Sequence, residues 1–209
     1  MTFPLLTASP VTVRVPATSA NMGPGYDCLG MALDIWNTVE VSSSTSNGPT
    51  VTVEGEGAGE LPLDTSNLVY RSMEALWLRV GVGAPAIHVR CNNQIPLARG
   101  LGSSSAAIVG GLVAANHVSG SPLGRSDLLE LATEIEGHPD NVTPALYGGM
   151  QLVATHQGRL VVSPVPVPQG LNAVVLVPDV AIPTEEARAV LPQEVNRSDA
   201  VHNLSLIHI

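Results

Sequence analysis

Residues 95–107 constrain the fold more than any other part of the chain, because glycines and serines stand there between two apolar segments. The stretch reads IPLARGLGSSSAA, and small or apolar residues follow as far as Asn116. Glycines let a backbone approach an anion closely, and the N–H groups at a helix start carry partial positive charge. Serine hydroxyls can donate to phosphate or bind Mg²⁺. The pattern therefore predicts a phosphate-binding loop that opens a buried helix.

Two better-known glycine-rich loops do not fit this stretch. The P-loop of nucleotide hydrolases needs a lysine after its second glycine, and the chain contains no lysine. The dinucleotide-binding fingerprint needs a third glycine where this chain has Ser105, and it needs an acidic residue at a strand end about 20 residues later. A surface turn rich in glycine and serine would lead into polar residues and not into an apolar segment.

The coarse pattern of the chain indicates a mixed α+β fold. Alternating or apolar runs predict strands over residues 11–15, 34–41, 50–54, 86–92, 150–154, 160–165 and 171–177. Helical spacing of apolar residues predicts helices over residues 67–79 and 127–136. Asp64 or Ser66 is available to cap the first helix, and Ser126 the second.

Composition and charge exclude several classes of partner. The net charge is −9 and the pI about 4.9, which argues against binding to nucleic acid or to an anionic membrane. No apolar run approaches the length of about 18 residues that a membrane span needs. Cys28 and Cys91 stand alone without metal-ligand spacing, so we expect reduced thiols and a cytoplasmic protein.

Three motifs, in family order, resemble those of the GHMP kinases, the superfamily of galactokinase, homoserine kinase, mevalonate kinase and phosphomevalonate kinase. Residues 95–107 resemble its ATP-binding motif. Residues 13–30, VRVPATSANMGPGYDCLG, resemble the first motif of the homoserine kinases in particular, and residues 136–149, EGHPDNVTPALYGG, resemble another motif of that family. The resemblance extends from about residue 11 to about residue 203.

The resemblance implies ATP-dependent phosphorylation of L-homoserine, a step towards threonine. It also implies a two-lobe fold, with a lobe like ribosomal protein S5 domain 2 over residues 1–163 and the start of a ferredoxin-like lobe over residues 164–209. The proline-rich residues 164–170 are either this boundary or a broken edge strand. We expect a C-terminal truncation, because the family's S-G-[AS]-G-P loop is missing and the residues after about Asn203 depart from the family. The alternatives are another GHMP kinase of the mevalonate type and an inactive nucleotide-binding fragment.

The resemblance also implies where ATP and Mg²⁺ bind. Ser104 and Glu136 match the Ser/Glu pair that holds the metal, and a carboxylate is a ligand that a hard cation prefers. Asn67 matches a position that contacts adenine, although an asparagine at a helix start also serves as a cap. The expected nucleotide-binding residues are Asn67, Pro96, Leu97, Ala98, Arg99, Gly100, Leu101, Gly102, Ser103, Ser104, Ser105 and Ala106.

The homoserine site is implied in the same way. Arg188 matches the arginine that binds the substrate carboxylate, and its planar fork suits that partner. Three further residues match positions that contact the amino group and the hydroxyl, namely Asn21, Asp27 and Asp140. Asp140 and Asn141 are the catalytic candidates, while His138 is interpreted as ordering the turn that aims them. Whether a protein base or the phosphate itself takes the hydroxyl proton stays open, as does the formation of a homodimer.

Overall fold

The structure is a computed structural model that describes residues 10–44, 48–177, 184–192 and 194–208. Within these residues the chain forms six strands and six helices. The strands are β1 (Val11–Ala20), β2 (Leu29–Ser43), β3 (Thr50–Gly55), β4 (Ile87–Asn93), β5 (Met150–His156) and β6 (Arg159–Val165). The helices are α1 (Leu68–Val80), α2 (Ser103–Val118), α3 (Arg125–Glu136), α4 (Pro139–Tyr147), α5 (Thr184–Ala189) and α6 (Arg197–His208). The expected mixed α+β class is confirmed.

The long strand β2 organises the sheet. One of its edges pairs with β1 in antiparallel fashion, and its other edge pairs with β4 near its C-terminal end and with β5 near its N-terminal end. Strand β3 pairs in parallel with β4 through the α1 crossover, and β6 completes a hairpin with β5. Alternation along the strands buries one face of the sheet, as at Val39, Val89 and Cys91, and leaves polar side chains such as Arg90 on the other.

Helix α2 is the centre of the layer that covers the buried face. It packs on β1 and β2 and is flanked by α1, α3 and α4. Its glycines allow this closeness: a Cβ at Gly111 would stand 2.3 Å from the carbonyl oxygen of Val69 in α1, and one at Gly110 would stand 2.9 Å from a methyl group of Val39 in β2. No helix in the described ranges combines the length and apolar character required to cross a bilayer.

Both helices predicted from apolar spacing are present. The caps expected from Asp64 or Ser66 and from Ser126 are wrong, while the alternative capping role of Asn67 is confirmed. Asn67 is the N-cap of α1, and its Oδ1 accepts from the N–H of Val69 at 3.0 Å. Asp64 instead accepts from the N–H of Ser66 in the preceding turn. Gly124, and not Ser126, precedes α3, where Asp127 accepts from the Gly124 N–H at 2.9 Å. Several polar residues stand near each start, so local sequence did not decide which one caps.

The predicted strand over residues 171–177 is wrong. These residues form no regular secondary structure, and Val174 and Leu176 are 96% and 91% exposed. A strand needs a neighbour for its backbone groups, and none of the described strands pairs with this segment. Pro164 lies in β6 at the edge of the sheet, where a missing N–H is tolerated. The division into two lobes at residue 164 stays a prediction.

Helix α4 was missed, and β2 was predicted too short. The turn expected around Asp140 and Asn141 is the first turn of α4, preceded by His138 in an extended conformation and opened by Pro139. Gly30 packs against this turn, since a Cβ there would stand 2.0 Å from the carbonyl oxygen of Asp140. Strand β2 begins at Leu29, directly after the first motif, so this contact brings the first and last motifs together.

Candidate active site

A cleft of about 740 Å³ gathers residues from all three motifs. Its size falls within the range typical of small-molecule and cofactor sites. The wall comes from the start of α1, the ends of β1 and β4, the loop before α2, and the junction of α3 and α4. Of the predicted site residues, those that line it are Asn21, Asn67, Pro96, Leu97, Ala98, Arg99, Gly100, Leu101, Gly102, Ser103, Ser104, Glu136 and Asn141. Ser105 and Ala106 lie behind this wall and are buried.

The loop before α2 exposes uncapped backbone N–H groups to the cleft. Gly100 and Gly102 have φ of +69° and +68°, a region that favours glycine, and a Cβ at Gly100 would meet no atom within 4 Å. No side chain caps α2, and the N–H of Ala106 donates to the Gly102 carbonyl at 2.9 Å. The N–H groups of the first three helical residues therefore lack intrahelical acceptors. An open loop followed by free N–H groups is suited to holding phosphate.

Glu136 lies against the start of α2 although it closes α3. Its Oε1 accepts from the hydroxyls of Ser104 and Ser105, each at 2.7 Å. A carboxylate at a helix C-terminus opposes the helix dipole, whereas one beside a helix N-terminus is favoured. These two hydrogen bonds therefore hold Glu136 in place, and its Oε2 has no hydrogen-bond partner among the described residues.

The donor set around Glu136 fits Mg²⁺ held together with a nucleotide. In the described ranges no group of three or more His, Cys, Asp or Glu residues could enclose a metal ion by itself. Mg²⁺ typically takes one or two carboxylates and completes its octahedron with phosphate oxygens and water. The free oxygen of Glu136 and the exposed hydroxyl of Ser104 supply that kind of partial site beside the loop before α2.

Both the oxygen and the nitrogen of the Asn67 side-chain amide are hydrogen-bonded to backbone groups. Its Oδ1 caps α1, and its Nδ2 donates to the carbonyl of Pro62 at 2.8 Å. The residue is 4% exposed and lines the cleft. One amide hydrogen and one lone pair remain for another partner. The capping role is therefore observed, and contact with adenine stays a prediction.

Asp140 is buried and contacts His138, which lines the cleft. Asp140 Oδ1 lies 2.5 Å from His138 Nδ1 and accepts from the N–H of Asn141 at 3.0 Å. Its Oδ2 is buried with no hydrogen-bond partner in the described part of the chain. The hydrogen bond to Asp140 raises the pKa of His138 despite partial burial, and the negative charges of Asp140 and Glu136 add to the effect. The contact agrees with the interpretation of His138 as an ordering residue.

Thr18, which the sequence analysis did not single out, touches both the loop and α4. Its hydroxyl donates to Asn141 Oδ1 at 2.8 Å, and its N–H donates to the carbonyl of Leu101 at 3.0 Å. A Cβ at Gly102 would stand 1.9 Å from this hydroxyl oxygen. The only sequence signal for Thr18 is its place inside the first motif.

Arg188 and Asp27 form an ion pair beside the cleft. Arg188 Nη2 lies 2.5 Å from Asp27 Oδ1, and Nη1 lies 3.2 Å from Oδ2, a two-point contact that raises the pKa of Arg188. Tyr26 also contacts Arg188, as its hydroxyl accepts from Nη1 at 3.1 Å and its ring centroid is 5.3 Å from the guanidinium carbon. Asn21 Oδ1 accepts from the Asp27 N–H at 2.8 Å and so orders the turn. Tyr26 is the second residue that sequence reasoning missed.

The sequence of this chain is similar to those of known kinases. Residues 67–149 match the N-terminal domain of the GHMP kinases. A homoserine kinase of Desulfitobacterium hafniense is 47% identical over 195 residues, which are 93% of this chain and 65% of that protein. One of Trichodesmium erythraeum is 44% identical over 206 residues, which are 98% of this chain and 68% of that protein. The chain thus spans about two thirds of the length of these relatives.

A solved structure shares the backbone arrangement. The crystal structure of homoserine kinase from Cytophaga hutchinsonii superposes with a TM-score of 0.85 at 34% identity, over 97% of this chain and 66% of that chain. The mixed sheet with its helices accordingly corresponds to part of the two-lobe GHMP kinase fold. On this identity in sequence and backbone, the chain belongs to the homoserine kinase family, a branch of the GHMP kinases.

Proposed function

We propose that this protein transfers the γ-phosphoryl group of ATP to the side-chain hydroxyl of L-homoserine, with Mg²⁺, in the biosynthesis of threonine. The observation that carries the proposal is one cleft with a phosphate-binding loop at one side and the Asp27–Arg188 pair beside it. A phosphate site next to paired charges of opposite sign suits a nucleotide and a zwitterion. The names of the relatives favour homoserine over a substrate of the mevalonate type.

The nucleotide side of the cleft would act mainly through charge. The backbone of residues 96–106 and the free N–H groups of α2 hold the phosphates, and Asn67 lies at the wall where the base would fit. Ser104 and Glu136 would hold Mg²⁺, which would neutralise charge on the phosphates. Because the chain contains no lysine, the backbone donors of this loop would take the place of the P-loop lysine.

The homoserine side would bind by exchanging ion pairs. Arg188 and Asp27 neutralise each other in the structure, and both side chains are about one-third exposed. A zwitterion that enters between them gives its carboxylate to Arg188 and its ammonium group to Asp27, so both protein charges stay paired. A ligand with only one of these charges leaves a partly buried charge without a partner, which is costly.

At the reaction centre, we assign Asn141 to contact with the reacting oxygens, because it lines the cleft and is hydrogen-bonded to Thr18 next to the loop before α2. Asp140 has no exposed surface and is bonded to His138 and to the N–H of Asn141, so we assign it the ordering of the α4 start. The proton of the homoserine hydroxyl then passes to the transferred phosphoryl group. Positioning and charge stabilisation supply most of the catalysis in phosphoryl transfer, so this route needs no strong base.

We further propose that the protein acts in the cytoplasm, where reducing conditions keep Cys28 and Cys91 as the free thiols seen in the structure. The net charge of −9 suits a small-molecule enzyme without a nucleic-acid partner.

A coupled assay of ADP release tests the proposed function. The protein expressed from its complete reading frame is supplied with MgATP and, in turn, with L-homoserine, mevalonate and galactose. We expect turnover with L-homoserine and only background release with the other two alcohols. Equal or faster turnover with mevalonate, or no release that depends on homoserine, would contradict the proposal.

A further inference from the structure

We propose that Thr18 is a positioning residue that orients the Asn141 amide, so that the Asn141 NH₂ group donates into the cleft. The inference rests on the proposed function for its substrate and deepens it. It concerns a contact between residues 123 positions apart, within the first and last of the three motifs.

The orientation follows from the hydrogen bond that Thr18 makes. The Thr18 side chain has no exposed surface, and its hydroxyl donates to Asn141 Oδ1 at 2.8 Å. An amide offers an acceptor oxygen at one end and two donor hydrogens at the other. Since the oxygen is turned towards Thr18, Nδ2 is the end left for the cleft that Asn141 lines.

The backbone around this contact leaves it little freedom. Thr18 belongs to β1, and its N–H donates to the Leu101 carbonyl oxygen at 3.0 Å. This hydrogen bond fixes the strand to the phosphate-binding loop. Asn141 is fixed by its own N–H, which donates to the buried Asp140. At Gly102 both the φ of +68° and the 1.9 Å approach to the Thr18 hydroxyl exclude a side chain. Thr18 therefore sets the position of Asn141 relative to the bound phosphates.

A group that only donates has a definite chemical role. The Asn141 NH₂ can stabilise lone pairs on the attacking hydroxyl or on a phosphoryl oxygen, but it cannot take up the hydroxyl proton. Donors that are already oriented towards an oxygen gaining negative charge lower the barrier without reorganisation during the reaction. Losing the Thr18 hydroxyl would free the amide to rotate and present its oxygen to the phosphates.

Two substitutions at Thr18 separate this role from simple packing. Thr18→Val keeps the shape but removes the hydroxyl, and Thr18→Ser keeps the hydroxyl as a matched control. We expect Thr18→Val to lower kcat about tenfold, the scale of one lost hydrogen bond, while Thr18→Ser stays within about threefold of the wild type. The KM for ATP should change little in either variant, because the bond from Thr18 to Leu101 involves backbone atoms only.

A double-mutant cycle and a third variant test the direction of the amide. In an Asn141→Ala background, Thr18→Val should cause no further loss of kcat. Asn141→Asp should lose more activity than Asn141→Ala, since it points an anion at the phosphates. A wild-type kcat in Thr18→Val, an undiminished loss in the Asn141→Ala background, or an Asn141→Asp variant as active as the wild type would overturn the proposal.

If Thr18→Val does not fold, NMR of the side-chain amide tests whether the Asn141 NH₂ group faces the cleft. In wild-type protein labelled with ¹⁵N at asparagine, the Asn141 NH₂ signals are assigned by their absence from Asn141→Asp. Adding Mg²⁺ with a non-hydrolysable ATP analogue and L-homoserine should shift both protons. Unchanged signals with saturating analogue would overturn the orientation. Because the analogue alone can produce the shift, the result is independent of whether homoserine is the substrate, which the ADP assay decides.

Discussion

Asp27→Asn should reverse part of the discrimination between amino acids and simple hydroxy acids. In the structure Asp27 forms an ion pair with the guanidinium of Arg188, which we propose binds the substrate carboxylate. The variant removes that competing charge and leaves Arg188 open to a carboxylate. Asparagine tolerates the left-handed φ of +54° at this position, and the backbone N–H of residue 27 can still donate to Asn21. The fold should therefore be preserved.

The structure gives the expected magnitudes. The Asp27 and Arg188 side chains are 38% and 33% exposed, so solvent screens their pairing, and we take its net worth as about 1 kcal/mol. A ligand without an ammonium group, such as 4-hydroxybutyrate, no longer has to break this pair and should bind about fivefold more tightly. L-homoserine loses a charged partner for its ammonium group and should bind about tenfold more weakly. The ratio of the two affinities should shrink about fiftyfold.

Isothermal titration of both ligands, with Mg²⁺ and a non-hydrolysable ATP analogue present, measures these changes. Glu54→Gln is the matched control, since it removes the same charge from an exposed ion pair with Arg90 across β3 and β4. This control should leave both affinities unchanged. If Asp27→Asn weakens both ligands equally, or leaves 4-hydroxybutyrate no tighter than in the wild type, the exchange of ion pairs is refuted.

Three further predictions concern the metal, the packing and the thiols. Glu136→Ala should lower kcat on the order of a hundredfold or more, the scale of one preorganised electrostatic group, and retained activity with unchanged Mg²⁺ dependence would remove Glu136 from the site. Gly111→Ala should lower Tm, because the new Cβ would stand 2.3 Å from the Val69 carbonyl oxygen. The overpacking costs about 1–3 kcal/mol, which outweighs the gain in helix propensity of about 1 kcal/mol. A higher Tm would contradict this prediction. Iodoacetamide on the folded protein should label Cys28 well before Cys91, because Cys91 is 1% exposed and burial raises its pKa to about 11, and mass spectrometry showing equal rates would contradict that order.

Local chemistry was sufficient to predict a glycine-rich loop that opens the buried helix α2. Glycine, serine and a following apolar run act over neighbouring residues, so their meaning does not depend on the rest of the fold. The same holds for the β5–β6 hairpin, whose strands are close in sequence. The family motifs then identified Asn21, Glu136 and Asn141, which the fold brings to one cleft.

The missed features depend on contacts between distant residues. Helix α4 contains Pro144 in its interior, which is a helix-breaking signal, and its first turn packs against Gly30. The apolar residues 171–177 resemble a strand, but strand formation needs a partner that the local sequence does not encode. The contacts of Thr18 with Leu101 and Asn141 form because the fold brings β1, the loop before α2 and α4 together.

The most direct test of phosphoryl transfer to homoserine follows the oxygen atom of its side-chain hydroxyl. L-homoserine labelled with ¹⁸O at that hydroxyl is incubated with MgATP and the protein from its complete reading frame, and the products are examined by ³¹P NMR. We expect a phosphate monoester of homoserine whose phosphorus signal shows the isotope shift of a bridging ¹⁸O, formed in step with ADP. Unlabelled phosphate monoester, or inorganic phosphate as the only product, would contradict transfer to the side-chain hydroxyl.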